Sequence, residues 1–386
     1  MANQPSDALI WKHIANQCDD AEKIWIESLI KNDTNFSKKY NRIKLYQTSN
    51  QTEEYSTQGF DTVNFAKLIF QKNNKFEQCA LELFSYQAKK NPTYKEFLEL
   101  LHIDISQIKS IQEIPFLPID FFKTRIIKTS EWETEKIFLS SGTSQMTRSA
   151  HHIKSLNLYH QSILNSLGQT TIPFNETHII AYLPSYYDNP SSSLLYMVNF
   201  LMTQNKNKQH SFIQSEEQLH DYLKNATEEN ILLFGVSFAL YDFAIKHKNL
   251  KNKITIIETG GMKSSGRTLS KTEIFEAISN AFPKANIYSE YGMTEMLSQA
   301  YTNNQSLYFN QSNTMHVFVN DENSPRDNVR KIGRGRINII DLCNIDSCAF
   351  LQTGDTGEIF EDGRFLIHGR VDIQDIRGCH LLMEEL

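Results

Sequence analysis

The pattern of apolar residues changes at residue 118, and this change constrains the fold more than any other feature of the sequence. Beyond it, short apolar runs that end in Gly, Ser or Pro alternate with stretches of helical periodicity. That alternation is typical of an α/β domain. We predict strands over His178–Leu183, Ile231–Gly235, Ile254–Ile257 and Ile287–Tyr288. Ligands of open α/β sheets bind beyond the carboxyl ends of the strands, so we expect a site in the loops that follow these runs.

The segments on either side of this region have other patterns. Apolar spacing predicts helices from about residue 6 to residue 101, and Thr93-x-x-Glu96 has the spacing of a capping box at a helix start. Strand-like runs return after residue 334, at 337–340, 349–351, 358–360 and 365–367, with a hairpin turn predicted at Asp362-Gly363. We therefore predict a helical region over 1–110, an α/β core over 111–333 and a small β-rich C-terminal subdomain over 334–386.

Composition and charge exclude some classes of protein. Hydrophobic residues make up 40% of the chain and charged residues 22%, which is ordinary for a folded protein. The 39 Lys and Arg against 45 Asp and Glu give a net charge of −6 without a long basic run, which argues against nucleic-acid binding. The apolar runs are too short for a transmembrane segment and the start has no secretory signal pattern, so we expect a cytoplasmic protein.

The five cysteines include no C-x-x-C pair, so neither a disulfide framework nor a structural zinc site is indicated. Cys379 differs from the others because it lies between Arg377 and His380, near the end of the chain. Neighbouring positive charge favours the thiolate, which is the nucleophilic form of cysteine. The run Leu381–Met383 can equally be a closing strand with Cys379 packed beneath it. Local features do not decide between these two interpretations.

The first candidate binding motif follows the apolar run Ile137–Leu139. It consists of Ser140, Ser141, Gly142, Thr143 and Ser144. A glycine in a hydroxyl-rich turn lets backbone N–H groups point at an anion, which favours a phosphate-binding loop. An ordinary polar loop explains the same residues, and the Walker spacing is absent.

The second motif runs from Tyr291 to Glu295, directly after a predicted strand. Tyr291 offers a flat face to an adenine, Gly292 a close backbone approach, and Thr294 a hydroxyl to a phosphate. Glu295 supplies a carboxylate of the kind that Mg²⁺ prefers in combination with phosphate oxygens. A buried tyrosine and a surface glutamate at a helix start would give the same pattern.

Three shorter motifs complete the set of candidates. Gly260 and Gly261 follow a predicted strand and would allow close approach to a planar ligand. The carboxylate of Asp355 can accept hydrogen bonds from both hydroxyls of a ribose. The guanidinium of Arg370 can hold a phosphate or a ribose oxygen. Each of these residues, taken alone, is as well explained as part of a turn or as a surface charge.

In this order the motifs resemble the adenylate-forming superfamily of acyl-CoA synthetases and phenylacetate-CoA ligases. The resemblance implies the fold of that superfamily's N-terminal domain, with ATP and Mg²⁺ as cofactors. It assigns Ser140–Ser144 to the phosphate loop, Gly260, Gly261 and Tyr291 to the adenine pocket, Thr294 and Glu295 to phosphate and Mg²⁺, Asp355 to the ribose, and Arg370 to the domain hinge.

Within that superfamily the sequence is most similar to LuxE, the acyl-protein synthetase family of the bacterial luminescence fatty-acid reductase. The similarity is carried by the segments Phe116–Lys123, Leu183–Tyr186 and Ser191–Met197 and by the ending Arg377-Gly378-Cys379. It implies that a fatty acid, which we expect to be long-chain, is adenylated and transferred to Cys379. It also implies a partner that takes the acyl group, such as an acyl-CoA reductase or another acyl acceptor.

Two departures from the superfamily pattern keep other functions open. Gln145–Arg148 stands where a Pro-Lys-Gly segment is common, and Arg148 is a candidate replacement for that lysine. Only 16 residues follow Arg370 in a chain of 386, so we expect no C-terminal lid with a catalytic lysine. The alternatives are a ligase that passes the acyl group to CoA or acyl-carrier protein, and a non-catalytic nucleotide-binding relative.

Overall fold

The computed structural model describes residues 13, 19–33, 36–37, 40, 60–141, 147–174, 177–184, 186–187, 189–205, 209–226, 230–260, 269–321 and 327–370. The chain divides into two compact units, residues 1–62 and 63–386. The boundaries predicted at residues 110 and 333 remain predictions.

The first unit contains helix α1, Asp20–Asn32. The helix begins with a capping box, in which the Asp19 side chain accepts a hydrogen bond from the backbone N–H of Glu22 at 2.8 Å, while the Glu22 side chain accepts one from the backbone N–H of Asp19. The reciprocal bonds satisfy backbone donors that a helix start leaves unpaired. Ile26, Phe36 and Tyr40 form a small buried cluster in this unit.

The remaining helices and strands are described from residue 62 on. The helices are α2 Thr62–Ile69, α3 Phe76–Lys90, α4 Pro92–Leu100, α5 Phe121–Thr124, α6 Leu156–Gly168, α7 Ser193–Gln204, α8 Glu216–Asn225, α9 Ser237–Lys246 and α10 Lys271–Ala281. The strands are β1 Leu117–Pro118, β2 Lys136–Leu139, β3 Ala150–Ile153, β4 His178–Tyr182, β5 Ser211–Ile213, β6 Ile231–Val236, β7 Ile254–Thr259, β8 Asn286–Tyr291, β9 Ala300–Thr302, β10 Phe309–Asn310, β11 Met315–Asn320, β12 Gly333–Asp341, β13 Phe350–Ile359 and β14 Phe365–Arg370.

Most of the described strands belong to one mixed sheet. Its order is β11-β12-β13-β14-β10-β9-β8-β7-β6-β4-β5, with β1 added in parallel beside β13. The strands from β5 to β8 are parallel, and those from β8 to β11 are antiparallel. Strand β8 therefore joins a parallel half to an antiparallel half. Strands β2 and β3 form a separate antiparallel hairpin.

The two halves of the sheet are buried in different ways. Every residue of β6 and β7 is buried, as expected for parallel strands covered on both faces. The antiparallel half is covered by α3 and α4 through an aromatic cluster, in which the ring of Phe350 on β13 lies 5.7 Å from Phe84 and 5.9 Å from Tyr94. The helical segment 76–100 thus packs directly against the β-rich region.

The predicted α/β class and the strands of the parallel half are confirmed, and two local predictions are wrong. Helix α4 is capped by Asn91, whose side chain accepts from Tyr94 N at 3.0 Å, with Pro92 as its first residue, so Thr93 is not the cap. The strands predicted at 349–351 and 358–360 are parts of one strand, β13, which continues through polar residues because both of its edges are paired. The turn at Asp362-Gly363 is confirmed, with Gly363 at φ +82°.

Candidate active site

Two of the candidate motifs lie at the carboxyl ends of parallel strands. Gly260 follows β7, and the segment 292–295 follows β8. A cavity of about 500 Å³ opens at the opposite end of these strands, beside Asn230, Ile254 and Asn286. It is lined by none of the motif residues. We therefore place the candidate site at the carboxyl edge of the sheet, where open α/β sheets bind their ligands.

Tyr291, Asp355 and Arg370 meet at this edge although they are far apart in the sequence. The Tyr291 hydroxyl donates to Asp355 Oδ2 at 2.8 Å, and Arg370 Nε lies 3.1 Å from Asp355 Oδ1. Asp355 and Arg370 are also paired residues of β13 and β14. Burial and the negative charge of Asp355 raise the pKa of Tyr291, which keeps this hydroxyl a donor. The carboxylate retains lone pairs that can accept two further hydrogen bonds.

Thr294 and Glu295 are held through their backbone. Thr294 O accepts a hydrogen bond from His151 Nδ1 at 2.8 Å, and Glu295 O accepts one from Asn344 Nδ2 at 2.8 Å. Burial lowers the pKa of His151 to about 4, so its ring is neutral and Nε2 accepts from the Ser347 hydroxyl at 3.0 Å. These contacts fix the backbone from which the two candidate side chains project.

Asp341 secures the residues that follow this segment. Its carboxylate accepts hydrogen bonds from Leu297 N at 2.8 Å, from Ser298 N at 2.9 Å and from Cys343 N at 3.1 Å. Burial raises the pKa of Asp341, and these donors oppose the rise. A fully buried carboxylate is tolerated only with such partners. Asp341 therefore ties the end of β12 to the loop behind Glu295.

The predicted phosphate loop starts at the end of strand β2. Ser140 and Ser149 close the β2–β3 hairpin, since Ser149 N donates to Ser140 Oγ at 2.9 Å and Ser140 N donates to Ser149 O at 3.0 Å. The Ser140 hydroxyl thus has a structural partner. The Ser141 hydroxyl is hydrogen-bonded to that of Tyr186, which partly offsets the rise that burial causes in the Tyr186 pKa. Gly142, Thr143 and Ser144 lie outside the described residues.

Gly260 has φ +77°, a conformation that side chains other than glycine rarely adopt. Its carbonyl accepts from the Ser237 hydroxyl at 2.6 Å, so the turn after β7 is tied to the start of α9. A Cβ at this position would lie 3.8 Å from the Tyr186 hydroxyl, which places Tyr186 beside the turn. Gly261 and Cys379 lie outside the described residues, and their roles stay predictions.

Glu290 precedes Tyr291 on β8 and is only 7% exposed. Burial raises its pKa to about 7, although a hydrogen bond from the Thr259 hydroxyl and the charge of Lys271 oppose the rise. Its Oε1 lies so close to Gly292 that a Cβ there would be 2.4 Å away. The glycine of this motif therefore makes room for the Glu290 side chain.

Sequence patterns did not identify His151, Asp341, Asn344, Glu290 or Tyr186 as site residues. Two of them had a usable signal: Glu290 and Asp341 are carboxylates at the ends of apolar runs, where burial forces them to find partners. The other three act through contacts with distant residues, which no spacing encodes.

Comparison with protein families places this site in context. The family model of the LuxE acyl-protein synthetases matches residues 49–386. The chain belongs to the LuxE family. The match covers every LuxE motif residue named above, including Cys379. A comparison with curated proteins found no significant relative.

Several solved structures are similar to this LuxE chain. A 2-hydroxyisobutyryl-CoA ligase in complex with 2-HIB-AMP and CoA has a TM-score of 0.57 and 14% identity over 82% of this chain and 70% of its own. The luciferase-like enzyme of the mealworm Zophobas morio has a TM-score of 0.44 and 15% identity over 62% of this chain and 58% of its own. A long-chain-fatty-acid-CoA ligase of Archaeoglobus fulgidus has a TM-score of 0.44 and 14% identity over 64% of this chain and 53% of its own. The LuxE chain spans less than two thirds of the length of the latter two. Its fold is that of the N-terminal domain of adenylate-forming ligases.

Two further findings concern only the part of this LuxE chain that the structure describes. No helix there has both the length and the apolarity to cross a bilayer. No group of three or more His, Cys, Asp or Glu side chains is arranged to hold a metal ion there. The cytoplasmic location remains a prediction.

Proposed function

We propose that this LuxE protein adenylates a fatty acid with ATP and transfers the acyl group to Cys379. The observation that carries the proposal is the position of the Asp355 carboxylate, which is held by Tyr291 and Arg370 beside the carboxyl end of β8. A carboxylate fixed by two neighbours still has lone pairs for two further hydrogen bonds, which suits a ribose with two adjacent hydroxyls. Membership in the LuxE family supports acyl adenylation as the reaction.

In the first step a carboxylate oxygen of the acid attacks the α-phosphorus of ATP, and the bond from that phosphorus to the pyrophosphate oxygen breaks. The acid is ionised at neutral pH, so the step needs no general base. The Thr294 hydroxyl, Ser141 and the Arg370 guanidinium would be the donors to the developing phosphate charge. Donors fixed before the reaction stabilise that charge without reorganising.

The carboxylate of Glu295 is the group on this chain that would hold Mg²⁺. Mg²⁺ usually binds through one or two carboxylates, with phosphate oxygens and water as its other ligands, so one buried carboxylate beside a phosphate site fits its requirements. When bound, the ion would neutralise charge on the phosphates. His151 and Asn344 fix the backbone of Glu295 and its neighbour and so orient this carboxylate.

In the second step the Cys379 thiolate attacks the acyl carbon, the bond from that carbon to the AMP oxygen breaks, and AMP leaves. Three of the five cysteines are poor candidates for this role. Cys79, Cys343 and Cys348 are buried, and burial raises their pKa, to about 12 for the latter two. Cys18 precedes the segment that matches the family, which favours Cys379.

We propose that a partner protein then takes the acyl group from the thioester, as an acyl-CoA reductase or another acyl acceptor would. A second function keeps the adenylation but gives the acyl group to CoA or acyl-carrier protein. It is supported by the fold shared with a CoA ligase structure. The expected long chain of the fatty acid belongs to the proposal in both cases.

Intact-mass spectrometry with Mg-ATP and a panel of fatty acids tests the thiol step. Wild-type protein is expected to gain the mass of one acyl group, released by hydroxylamine, and Cys379→Ser is expected to gain none. Cys18→Ser is the matched control and should keep the adduct. Exchange of labelled pyrophosphate into ATP should persist in both variants, because it reports the first step alone.

An adduct that survives in Cys379→Ser would refute the acceptor assignment. AMP release that requires added CoA or carrier protein, without an adduct, would establish the second function instead. Absence of exchange with every acid would refute adenylation itself.

A further inference from the structure

The face of β8 and β9 opposite Tyr291 carries a group of polar side chains that the mechanism above does not use. Successive side chains of a strand point to opposite faces, so Glu290 points away from the face that holds Asp355. Glu290 is paired with Tyr301 on β9, which brings their side chains together. Gln299, two residues before Tyr301, lies on the same face, with its Cγ 3.5 Å from the Cβ position of Gly292.

Two oxygens of this group are buried without a hydrogen-bond partner in the described part of the chain. They are the Tyr301 hydroxyl and Gln299 Oε1, on residues that are 3% and 4% exposed. Gln299 Nε2 is occupied, since it donates to Leu297 O at 2.7 Å. Buried polar atoms are rarely left unpaired, because a buried group without a partner has lost its hydrogen bonds to water and gained none in return.

Glu290 supplies a third oxygen. Its Oε2 accepts from the Thr259 hydroxyl, while Oε1 lies against Gly292, which is itself exposed. The negative charge of Glu290 acts on the phenols of both Tyr301 and Tyr159. Glu290, Gln299 and Tyr301 therefore form one buried polar cluster beside Gly292, which we call the Glu290 cluster.

The Glu290 cluster adjoins the candidate nucleotide site. Tyr186 lies between the cluster and the nucleotide site. Its hydroxyl is hydrogen-bonded to Ser141 and lies beside Gly260, and the charge of Glu290 contributes to the rise in its pKa. Asp355 occupies the other face of β8. The proposed ribose contact uses that other face, which leaves the face of Glu290 for the acid.

We propose that Glu290, Gln299 and Tyr301 bind a hydroxyl group that the acid carries close to its carboxylate. A hydroxyl donates one hydrogen bond and accepts others. It would donate to the carboxyl of Glu290 or to Gln299 Oε1 and accept from the Tyr301 hydroxyl. The inference rests on the proposed adenylation and narrows its substrate to hydroxy fatty acids, whatever the length of the chain beyond the hydroxyl.

Pyrophosphate exchange with matched acids tests the inference. The acids have one chain length and carry no substituent, a hydroxyl on the second or third carbon, or an amino group at the same positions. A site built to bind a hydroxyl is expected to favour one of the hydroxy acids over the unsubstituted acid by at least about 100-fold in kcat/KM. Tyr301→Phe, which removes only the oxygen, should reduce that preference about tenfold, while Tyr308→Phe, at a half-exposed tyrosine elsewhere, should preserve it.

The outcomes separate the inference from the proposed function. Equal or faster exchange with the unsubstituted acids would overturn the inference and leave adenylation intact, since ordered water would then satisfy the three oxygens. Preference for an amino acid of the set would overturn the hydroxyl assignment. A preference that Tyr301→Phe leaves unchanged would overturn the assignment of the hydroxyl to the Glu290 cluster. Exchange with none of the acids would overturn both proposals together.

Discussion

The carboxyl of Glu290 makes the stability of the protein depend on pH, and Glu290→Gln is expected to remove that dependence. Burial raises its pKa from the ordinary 4.5 to about 7. At ~1.4 kcal/mol per pKa unit the rise corresponds to ~3 kcal/mol. Between these two values the folded state binds the proton more tightly than the unfolded state. The contribution is therefore fully present below pH 4.5, is lost as the pH rises to about 7, and stays lost above.

Urea unfolding of wild-type and Glu290→Gln protein between pH 4.5 and pH 8.5 measures this effect. Glutamine keeps the shape and an acceptor for the Thr259 hydroxyl but does not titrate. Relative to the variant, the wild-type protein should lose about 3 kcal/mol of unfolding free energy across the range. Glu276→Gln, on the exposed side of α10, is the matched control. If the difference in unfolding free energy between wild-type and Glu290→Gln protein does not change with pH, the assignment of a raised pKa to this carboxyl is refuted.

Three further substitutions test other parts of the structure. The pKa of His151 is lowered from 6.5 to about 4, so the free energy of unfolding of the wild-type protein should fall by about 3 kcal/mol as the pH falls from 6.5 to 4. Urea unfolding of His151→Gln should lack this loss, and a variant with the same pH dependence as wild type would contradict the prediction. Tyr291→Phe removes a hydrogen-bond donor to the Asp355 carboxylate, worth about 1.5 kcal/mol, and should raise the KM for ATP about tenfold in the exchange assay. An unchanged KM would refute the proposal that Asp355 binds the ribose. Asn91→Ala should lower the free energy of unfolding by about 1–2 kcal/mol in thermal unfolding, because Asn91 caps α4, whereas Glu96→Ala should lower it by less than about 0.5 kcal/mol. Equal losses would favour the capping box of Thr93 and Glu96 that the sequence predicted.

The sequence predicted the parallel half of the fold well, because burial on both faces leaves a strong signal. Runs such as Ile231–Val236 are continuously apolar, and the turns that bound them are rich in small residues. The antiparallel half was less predictable. Strand β13 continues through Thr353-Gly354-Asp355, which has the composition of a turn, because backbone pairing with β12 and β14 replaces the apolar signal. Tertiary pairing therefore decided what local composition left open.

The candidate site shows the same division. Tyr291, Asp355 and Arg370 were predicted from separate motifs, and the structure brings them within hydrogen-bond distance. The residues that hold the motifs in place were not predictable from spacing. Asn344 lies 49 positions from Glu295, whose carbonyl it binds, and nothing in its neighbourhood marks it. Motif order identifies groups that can meet a ligand, whereas the contacts that orient them depend on the folded chain.

Two adjacent residues of strand β8 point to opposite faces of the sheet and contact different proposed sites. Tyr291 faces Asp355 and the proposed ribose site, whereas Glu290 faces Tyr301 and the proposed acid site. Because the two side chains lie on opposite faces, a substitution at 290 can alter the choice of acid while leaving the contacts of Tyr291 in place. Gly292 is constrained as well, since Glu290 Oε1 fills the space that a larger residue at this position would need. A change of substrate in this family is therefore expected to proceed through position 290 together with its partners on β9, and not through the tyrosine or the glycine of the motif.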